Sequence, residues 1–211
     1  MPFPDPRLSG PEGLVAVGGE LSLERLLMAY RSGIFPWTVK PVTWWSPDPR
    51  GIFELGRLNI SKSLAKIIRQ KIFTVTIDHA FRQVIEGCAE PAPGRRNTWI
   101  SGEFISAYVR LHEAGHAHSV ECWHQGMLAG GIYGLAIGGF FAGESMFYRK
   151  SNASKVALFH LTKHLQEKDF ALFDIQSLTP ITRQLGGILI PRDEFLSRLS
   201  KAIVKSRNFI S

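Results

Sequence analysis

Polar side chains follow two apolar stretches of the sequence where strands are expected to end. Glu144 follows the run GGFF at 138–141, and Asp174 and Gln176 follow the run FALF at 170–173. Residues two apart on a strand face the same way, so Asp174 and Gln176 are expected to share a face. A carboxylate at the end of an apolar strand needs a partner, and such positions often mark functional sites. A structurally satisfied carboxylate explains the same spacing equally well.

The segment HEAGH at 112–116 matches the H-E-x-x-H pattern of zinc proteases. That chemistry needs both imidazoles one turn apart on a continuous helix, with the glutamate as base. Gly115 is expected to end the helix, and His116 begins an alternating strand-like run, so the two histidines would not share a face. We therefore expect histidines at a helix end here and no metal site.

Two further motifs each lack a required residue. GESMF at 143–147 is without the second glycine of the G-x-S-x-G nucleophile elbow. The glycines between 130 and 143 fit neither G-x-G-x-x-G nor a P-loop, so a site for nucleotide phosphates is not indicated. Their expected roles are Gly-Gly turns and the close approach of strands.

The elements that would position these side chains mix helices and strands. Ser22, Ser61, Asp78 and Ser101 are each expected to cap the helix that follows. From His116 onward, short β-rich runs predict an antiparallel meander. Beyond it we expect helices at 154–166, from 179 and near the C-terminus, with strands at 73–77, 171–175 and 188–190. This order predicts an α+β protein.

Residues 34–53 contain three tryptophans and four prolines. Aromatic side chains on a proline-stiffened backbone lose little entropy on ordering, so they build rigid concave surfaces. The segment is therefore expected to form either one wall of a binding site or an aromatic core beneath a loop.

The formal net charge of +7 is concentrated in two segments of the 211-residue chain. Residues 56–77 carry five cations and residues 197–211 carry four, with no acidic residue in either, so the remainder sums to about −2. Lys62, Lys66 and Arg69 are spaced to share one face of a helix. A polyanionic partner and plain solvated helix faces both account for this pattern.

Composition excludes several classes of protein. With 45% hydrophobic and 20% charged residues and no apolar run near the ~18–20 residues of a membrane span, collagenous, disordered and transmembrane chains are excluded. Cys88 and Cys122 provide no disulfide framework, and the proline-rich start contains no apolar signal segment. We expect a cytoplasmic protein with reduced thiols and no membrane partner.

Nine segments in one order resemble the bacterial leucyl/phenylalanyl-tRNA-protein transferase family. They are PEGLVAVGGELSLERLLMAYRSGIFPW, WWSPDPRGIF, VIEGCAE, TWI, AYVRLHEAGHAHSVECW, GGIYGLAIGGFFAGESMF, SNASKVAL, FDIQ and LGGILIPR. Together they cover roughly residues 9–195, nearly the whole chain.

The resemblance implies an α+β fold with a small N-terminal domain at 1–56 and a larger domain at 57–211. The larger domain would be GNAT-like, similar to acyl-CoA N-acyltransferases, with a central, largely antiparallel sheet. The implied enzyme is an aminoacyltransferase that moves Leu, Phe or Met from aminoacyl-tRNA to the N-terminal α-amine of proteins beginning with Arg or Lys, marking them for N-degron degradation. Because the donor ester is already activated, no cofactor or metal ion is expected. A monomer is expected.

The resemblance also implies catalytic residues. Asp174 and Gln176 match the family's D-x-Q motif and are the expected groups that hold the amine and pass on its proton. Glu144, within the GESMF match, is expected to face the same pocket. Proton transfer through the terminal ribose of the tRNA is the alternative. Relatives commonly continue after D-x-Q with asparagine and histidine, where this chain reads SLTPI at 177–181, so its acceptor range could differ.

Aromatic and apolar residues are the expected lining of the aminoacyl and adenosine pocket: Trp37, Trp99, Phe141 and Met146. Such a pocket would separate Leu from β-branched side chains by shape, at ~1–3 kcal/mol per misfit methyl group. Stacking of the terminal adenine on a tryptophan would add ~1–3 kcal/mol.

The basic helix matches the family's cluster for the tRNA acceptor arm, through Lys62, Lys66 and Arg69. Phosphate contacts of this kind carry affinity without sequence information. Two other classes of protein remain as alternatives at this point: an acyl-CoA-dependent N-acetyltransferase of similar fold, and a noncatalytic RNA-binding protein.

Overall fold

A computed structural model describes residues 2–91 and 98–210 of the chain. The helices are α1 (Leu23–Arg31), α2 (Lys62–Arg69), α3 (Phe81–Ala89), α4 (Gly102–Glu113), α5 (Ala153–Glu167), α6 (Pro180–Gln184) and α7 (Arg192–Ile203). The strands are β1 (Leu14–Val17), β2 (Phe35–Val39), β3 (Val42–Trp45), β4 (Arg50–Phe53), β5 (Thr74–Ile77), β6 (Ala117–His124), β7 (Met127–Ile137), β8 (Phe140–Tyr148), β9 (Leu172–Gln176) and β10 (Gly187–Ile190).

The strands form two sheets. A three-stranded sheet has the order β1-β3-β2, and a seven-stranded sheet has the order β10-β4-β9-β8-β7-β6-β5. In the part of the chain that the structure describes, β8 and β9 pair in parallel and the other neighbours pair antiparallel. The predicted α+β class and the largely antiparallel sheet are therefore confirmed.

The aromatic segment contributes to both sheets. Its first part forms the β2–β3 hairpin of the smaller sheet, whereas β4 pairs with β9 and β10 in the larger one. Strand β4 thus lies in the large sheet although it precedes residue 56. The division into domains at 1–56 and 57–211 stays a prediction.

Most of the predicted helix caps are confirmed. The side chains of Ser22, Ser61 and Ser101 each accept a hydrogen bond from a backbone N–H in the first turn of the following helix. The prediction for Asp78 is wrong, because α3 begins three residues later and its N-cap is Ala80, without a side-chain bond. The carboxylate of Asp78 instead accepts the backbone N–H of Ser119 on β6 at 2.7 Å.

The glycines have two different roles. The prediction of a Gly-Gly turn is right for Gly138 and Gly139, which join β7 to β8, and Gly138 has a φ of 56°. It is wrong for Gly130 and Gly131, which lie inside β7. A Cβ on Gly130 would come within 2.7 Å of the Cβ of Ala153, so a glycine here lets α5 approach the sheet.

The core covers both faces of the large sheet. On one face pack α1, α3, α4 and α7, and on the other pack α2, α5 and the C-terminal Phe209. Between the two layers, the parallel ladder of β8 and β9 runs from the Phe140–Leu172 pair to the Ala142–Asp174 pair. The ladder stops there although both strands continue, so the ends of the two strands can carry side chains into a shared space.

Candidate functional site

A cavity of about 440 Å³ opens where β8 and β9 cease to pair. Its walls come from β2, β4, β7, β8, β9, α5 and α6, and from Trp99 before α4. It is lined by Phe35, Pro36, Trp37, Phe53, Trp99, Ile132, Gly143, Glu144, Ser145, Met146, Leu158, Ile175, Gln176, Ser177, Thr179, Ile181 and Thr182. Of the residues proposed from the sequence, the cavity brings together Glu144, Gln176, Trp37, Trp99 and Met146.

Glu144 reaches the cavity because β8 bulges at this residue. Tyr133 on β7 pairs with Ser145, whereas the next residue, Gly134, pairs with Gly143, which leaves Glu144 without an opposite residue. A bulge bends its strand and redirects the extra side chain. Strand alternation alone therefore does not give the direction of Glu144.

Three side chains hold the carboxyl group of Glu144. The hydroxyl of Tyr30 on α1 donates to Oε1 at 2.7 Å, and that of Tyr108 on α4 donates to Oε2 at 3.1 Å. The amide nitrogen Nε2 of Gln176 lies 3.0 Å from Oε1. The two tyrosine hydroxyls also bond to each other.

These contacts form a closed ring that joins the two tyrosine hydroxyls and the two carboxyl oxygens. Both hydroxyls donate to the carboxyl group, so Glu144 is held as a hydrogen-bond acceptor. Burial raises the pKa of Glu144 to about 7, against the opposing effect of the Tyr30 hydrogen bond. The pKa values of both tyrosine hydroxyls are also raised, mainly because the tyrosines are buried and secondly because of the nearby charge of Glu144.

Gln176 occupies a strained backbone position at the end of β9. Its φ is 56°, in the left-handed region that non-glycine residues rarely adopt. The N–H of Ser177 donates to the carbonyl of Ile175 at 2.6 Å, which closes a tight turn around Gln176. This turn presents the Gln176 amide to Glu144.

Asp174 lies behind the cavity wall and is fully buried. Its carboxylate forms a bidentate pair with Arg50, at 2.8 Å from Nε and 2.7 Å from Nη2. Oδ1 also accepts the backbone N–H of Gln176 at 3.0 Å. The carboxylate of Asp174 is thus engaged by Arg50 and by the Gln176 backbone.

The aromatic residues proposed from the sequence have different surroundings. Trp37 is 46% exposed at the mouth of the cavity and packs edge-on against Trp45. Trp99 packs edge-on against Phe104 at 5.0 Å. Phe141 does not line the cavity, because its buried ring packs between Phe173 and Phe209.

The cations of α2 lie outside the cavity. Lys62, Lys66 and Arg69 are exposed, and none has a carboxylate partner within 4.0 Å among residues 2–91 and 98–210. A separate groove is lined by residues such as Ser61, Lys155 and Gln184.

The HEAGH segment does not bring its two histidines together on a helix. Helix α4 ends at Glu113, and Gly115 follows with a φ of 78°, as predicted. His112 stacks on the ring of Phe81 at 4.4 Å, and its Nδ1 lies 2.8 Å from the carbonyl oxygen of Ala117. No cluster of three potential metal ligands occurs among the described residues.

Sequence reasoning missed Tyr30, Tyr108 and Arg50. Tyr30 lies on the buried face of α1, and its hydroxyl on that otherwise apolar face was the available signal. Arg50 directly precedes the buried residues 51–53, where an arginine needs a partner. The loop with Gly94 and the arginines at 95–96 lies outside the described residues.

Two family models match the chain. The model described as leucyl/phenylalanyl-tRNA protein transferase matches residues 52–200, and the model of the N-terminal domain of that family matches residues 19–48.

None of the helices in the described ranges has the length and apolarity that crossing a membrane requires.

Relatives with about half of their residues identical carry the same description. A leucyl/phenylalanyl-tRNA–protein transferase from Shewanella pealeana is 52% identical over 201 residues, which are 94% of this chain and 85% of the relative. One from Shewanella halifaxensis is 51% identical over the same shares.

Similarity to solved structures is much weaker. A ribosomal-protein-alanine N-acetyltransferase from Brucella melitensis is 13% identical with a TM-score of 0.36, over 53% of this chain and 84% of that one. An N-acetyltransferase from Thermoplasma acidophilum is 15% identical with a TM-score of 0.32, over 46% and 75%.

Proposed function

The chain belongs to the leucyl/phenylalanyl-tRNA–protein transferase family and is an aminoacyltransferase, and from this premise we propose how its cavity performs the transfer. The cavity takes the aminoacyl end of the tRNA, and its lining selects the amino acid. The acceptor is a protein that begins with Arg or Lys, and the product is a substrate of the N-degron pathway. We further propose a cytoplasmic monomer that needs no cofactor or metal ion.

The apolar part of the cavity would hold the Leu, Phe or Met side chain. Phe53, Ile132, Met146 and Leu158 converge on it from four different elements, so its shape is set by packed core residues. Such a wall discriminates by shape at ~1–3 kcal/mol per misfit methyl group. Trp37 and Trp99, which lie together in the lining, are placed to stack on the terminal adenine.

Glu144 is the proposed acceptor of the proton that the amine loses. The neutral acceptor nitrogen attacks the ester carbonyl carbon, the C–N bond forms, and a nitrogen proton moves to the Glu144 carboxylate. The C–O bond to the terminal ribose then breaks, and the ribose oxygen takes up the proton held by Glu144, which regenerates the carboxylate. A base with a pKa of about 7 suits this task at neutral pH, because it is partly ionised before the attack and holds the proton afterwards.

The hydroxyls of Tyr30 and Tyr108 hold the Glu144 carboxylate in place for that transfer. Both donate to the carboxyl group, and their hydrogen bonds oppose the effect of burial on its pKa, which stays at about 7. Gln176, 3.0 Å from Oε1, would hold the amine beside the carboxylate. Asp174, engaged by Arg50 and the Gln176 backbone, would act by holding Gln176 in place.

The exposed face of α2 is the proposed contact for the tRNA acceptor arm. Its three cations, Lys62, Lys66 and Arg69, have no carboxylate partner among the described residues and are free to pair with phosphates. Lys155 lines a groove together with Ser61 and Leu64 at the start of α2, so it is a further cation for this contact.

The observation that carries the proposal is the position of Glu144 at the cavity wall, where Tyr30, Tyr108 and Gln176 hold its carboxyl group. The test is transfer of labelled Phe from Phe-tRNA to a peptide with N-terminal Arg, comparing wild type, Glu144→Gln and Glu12→Gln. Glu12 is an exposed carboxylate distant in sequence and absent from the cavity lining, so its variant controls for loss of one charge. We expect Glu144→Gln to lower kcat/KM by about 100-fold or more, the usual range for a lost acid–base group. Equal activity of the two variants would refute the role of Glu144.

Two alternatives from the sequence predict other results. An acyl-CoA-dependent N-acetyltransferase would be stabilised by coenzyme A in a thermal shift assay, and a noncatalytic RNA-binding protein would show no transfer by wild type. Family membership argues against both.

A further inference from the structure

We propose that Arg50 is a positioning residue for the transfer reaction. Its guanidinium fixes the turn that presents Gln176, and it connects this turn to β2, the strand that carries Phe35 and Trp37 in the cavity lining. The inference rests on the proposed role of Gln176 beside Glu144. Arg50 itself is 1% exposed and does not line the cavity, so it acts through other residues.

The hydrogen bonds of Arg50 join three elements. From β4, its Nε and Nη2 donate to the two oxygens of Asp174 on β9 at 2.8 and 2.7 Å. Its Nη1 donates to the carbonyl oxygen of Gly33 at 3.0 Å, at the junction between α1 and β2. A planar fork with donors in fixed directions can make all three bonds at once, which a lysine cannot.

Two aromatic rings hold the guanidinium in its plane. The Cζ atom lies 4.9 Å from the centre of the Phe35 ring and 4.4 Å from that of Phe195. Phe35 lines the cavity, and Phe195 comes from α7, the C-terminal helix. These contacts connect α7 to the site.

One path leads from Arg50 to Gln176. The carboxylate of Asp174 accepts the backbone N–H of Gln176 and is paired with Arg50, and removing one partner of a buried pair is strongly destabilising. That hydrogen bond helps to hold Gln176 at its φ of 56°. The backbone conformation in turn sets the direction of the side chain, whose amide lies 3.0 Å from Glu144.

A second path leads from Arg50 to the facing wall. Gly33, whose carbonyl Arg50 binds, stands two residues before Phe35 and four before Trp37. Gly33 has a φ of 74°, and a Cβ there would come within 2.5 Å of Leu196 on α7, so its position is narrowly defined. The same guanidinium therefore fixes both the wall with Gln176 and the wall with Trp37.

Stability alone is a poor reason for this ion pair. Replacing a buried pair by apolar side chains of similar volume is often neutral or stabilising, whereas breaking it by removing one partner is costly. A neutral replacement can thus separate folding from positioning. The variant Arg50→Met with Asp174→Leu removes both charges together and leaves neither unpaired.

The experiment is a double-mutant cycle between this paired variant and Gln176→Ala, with kcat and KM measured on an aminoacyl-adenosine donor and an N-terminal Arg peptide. We expect the paired variant to keep a cooperative melting transition while kcat falls at least tenfold, as in Gln176→Ala. Adding Gln176→Ala to the paired variant should lower kcat by less than about a further twofold, because Arg50 acts through Gln176. Arg198→Lys, which alters another ion pair outside the cavity lining, should leave kcat unchanged.

Four outcomes would overturn or redirect the inference. Full activity of the folded paired variant would overturn it. So would a combined variant whose fold-loss in kcat equals the product of the losses in the paired variant and in Gln176→Ala. If Gln176→Ala is itself fully active, the proposed role of Gln176 fails, and the inference about Arg50 fails with it. If the paired variant does not fold, the same cycle is run with Arg50→Lys, which keeps the charge but not the fork, and the same criterion of non-additivity applies.

Discussion

The proton-accepting role of Glu144 predicts a specific pH dependence. With a pKa of about 7, Glu144 is ionised in about 9% of molecules at pH 6 and about 91% at pH 8, a tenfold difference. The acceptor amine, with a pKa of ~7.7–8.0, adds about a 40-fold difference in its neutral fraction over the same range. The value of kcat/KM for wild type should therefore rise about 400-fold from pH 6 to pH 8.

In Glu144→Gln only the amine titrates, so the rise should be about 40-fold. The ratio of wild type to Glu144→Gln should consequently be about ten times larger at pH 8 than at pH 6, and the amine cancels from this ratio. The assay is initial-rate transfer of Phe from Phe-tRNA to an N-terminal Arg peptide at half-unit pH intervals. Because the ester also hydrolyses faster at high pH, its loss without enzyme is measured at each pH and subtracted. A ratio that does not change with pH would refute the reasoning.

Three further predictions follow from the same geometry. Reversing the charges of Lys62, Lys66 and Arg69 together should raise KM for Phe-tRNA and leave the rate on a short aminoacyl-adenosine analogue unchanged; equal losses on both donors would contradict phosphate binding by α2. Trp99→Ala should raise KM for that analogue about 5- to 150-fold, the equivalent of ~1–3 kcal/mol of lost stacking, while a donor without the adenine should bind both forms equally. Because the pKa of Glu144 is raised in the folded state, its contribution to stability is full below about pH 4.5 and is lost as the pH rises through about 7. Wild type should therefore lose roughly 2–3 kcal/mol of stability between pH 5 and pH 8, and Glu144→Gln should not. The melting temperature of Glu144→Gln minus that of wild type should increase over this range, and a difference that stays constant would contradict the prediction.

Much of the fold could be predicted from the sequence because it depends on local rules. Serine caps such as Ser61, the glycine stop at Gly115 and the apolar spacing of α1 and α2 all act within one or two turns of a helix. Asp78 shows the limit of such rules. Its position before a helix predicted a cap, but its carboxylate bonds to β6, whose distance along the chain no local pattern reveals.

The pairing of the strands was beyond local rules. β4 lies between β9 and β10 in the large sheet, although more than a hundred residues separate β4 from either strand in the chain. No spacing in the sequence indicates which strands become neighbours. The end of the ladder between β8 and β9, which opens the cavity, follows from that order of strands.

By itself the sequence determined the identity of the candidate groups: Glu144 and Gln176 at strand ends, tryptophans on a proline-rich segment, and three cations spaced along one face of α2. Only the tertiary structure decided what these groups do to one another. It directs the Glu144 side chain toward the hydroxyls of Tyr30 and Tyr108, and it pairs Asp174 with Arg50 behind the cavity wall. The physical reason is that pKa values and hydrogen-bond partners depend on burial and on distances between residues far apart in the chain, whereas residue type and spacing fix only what each side chain is able to do.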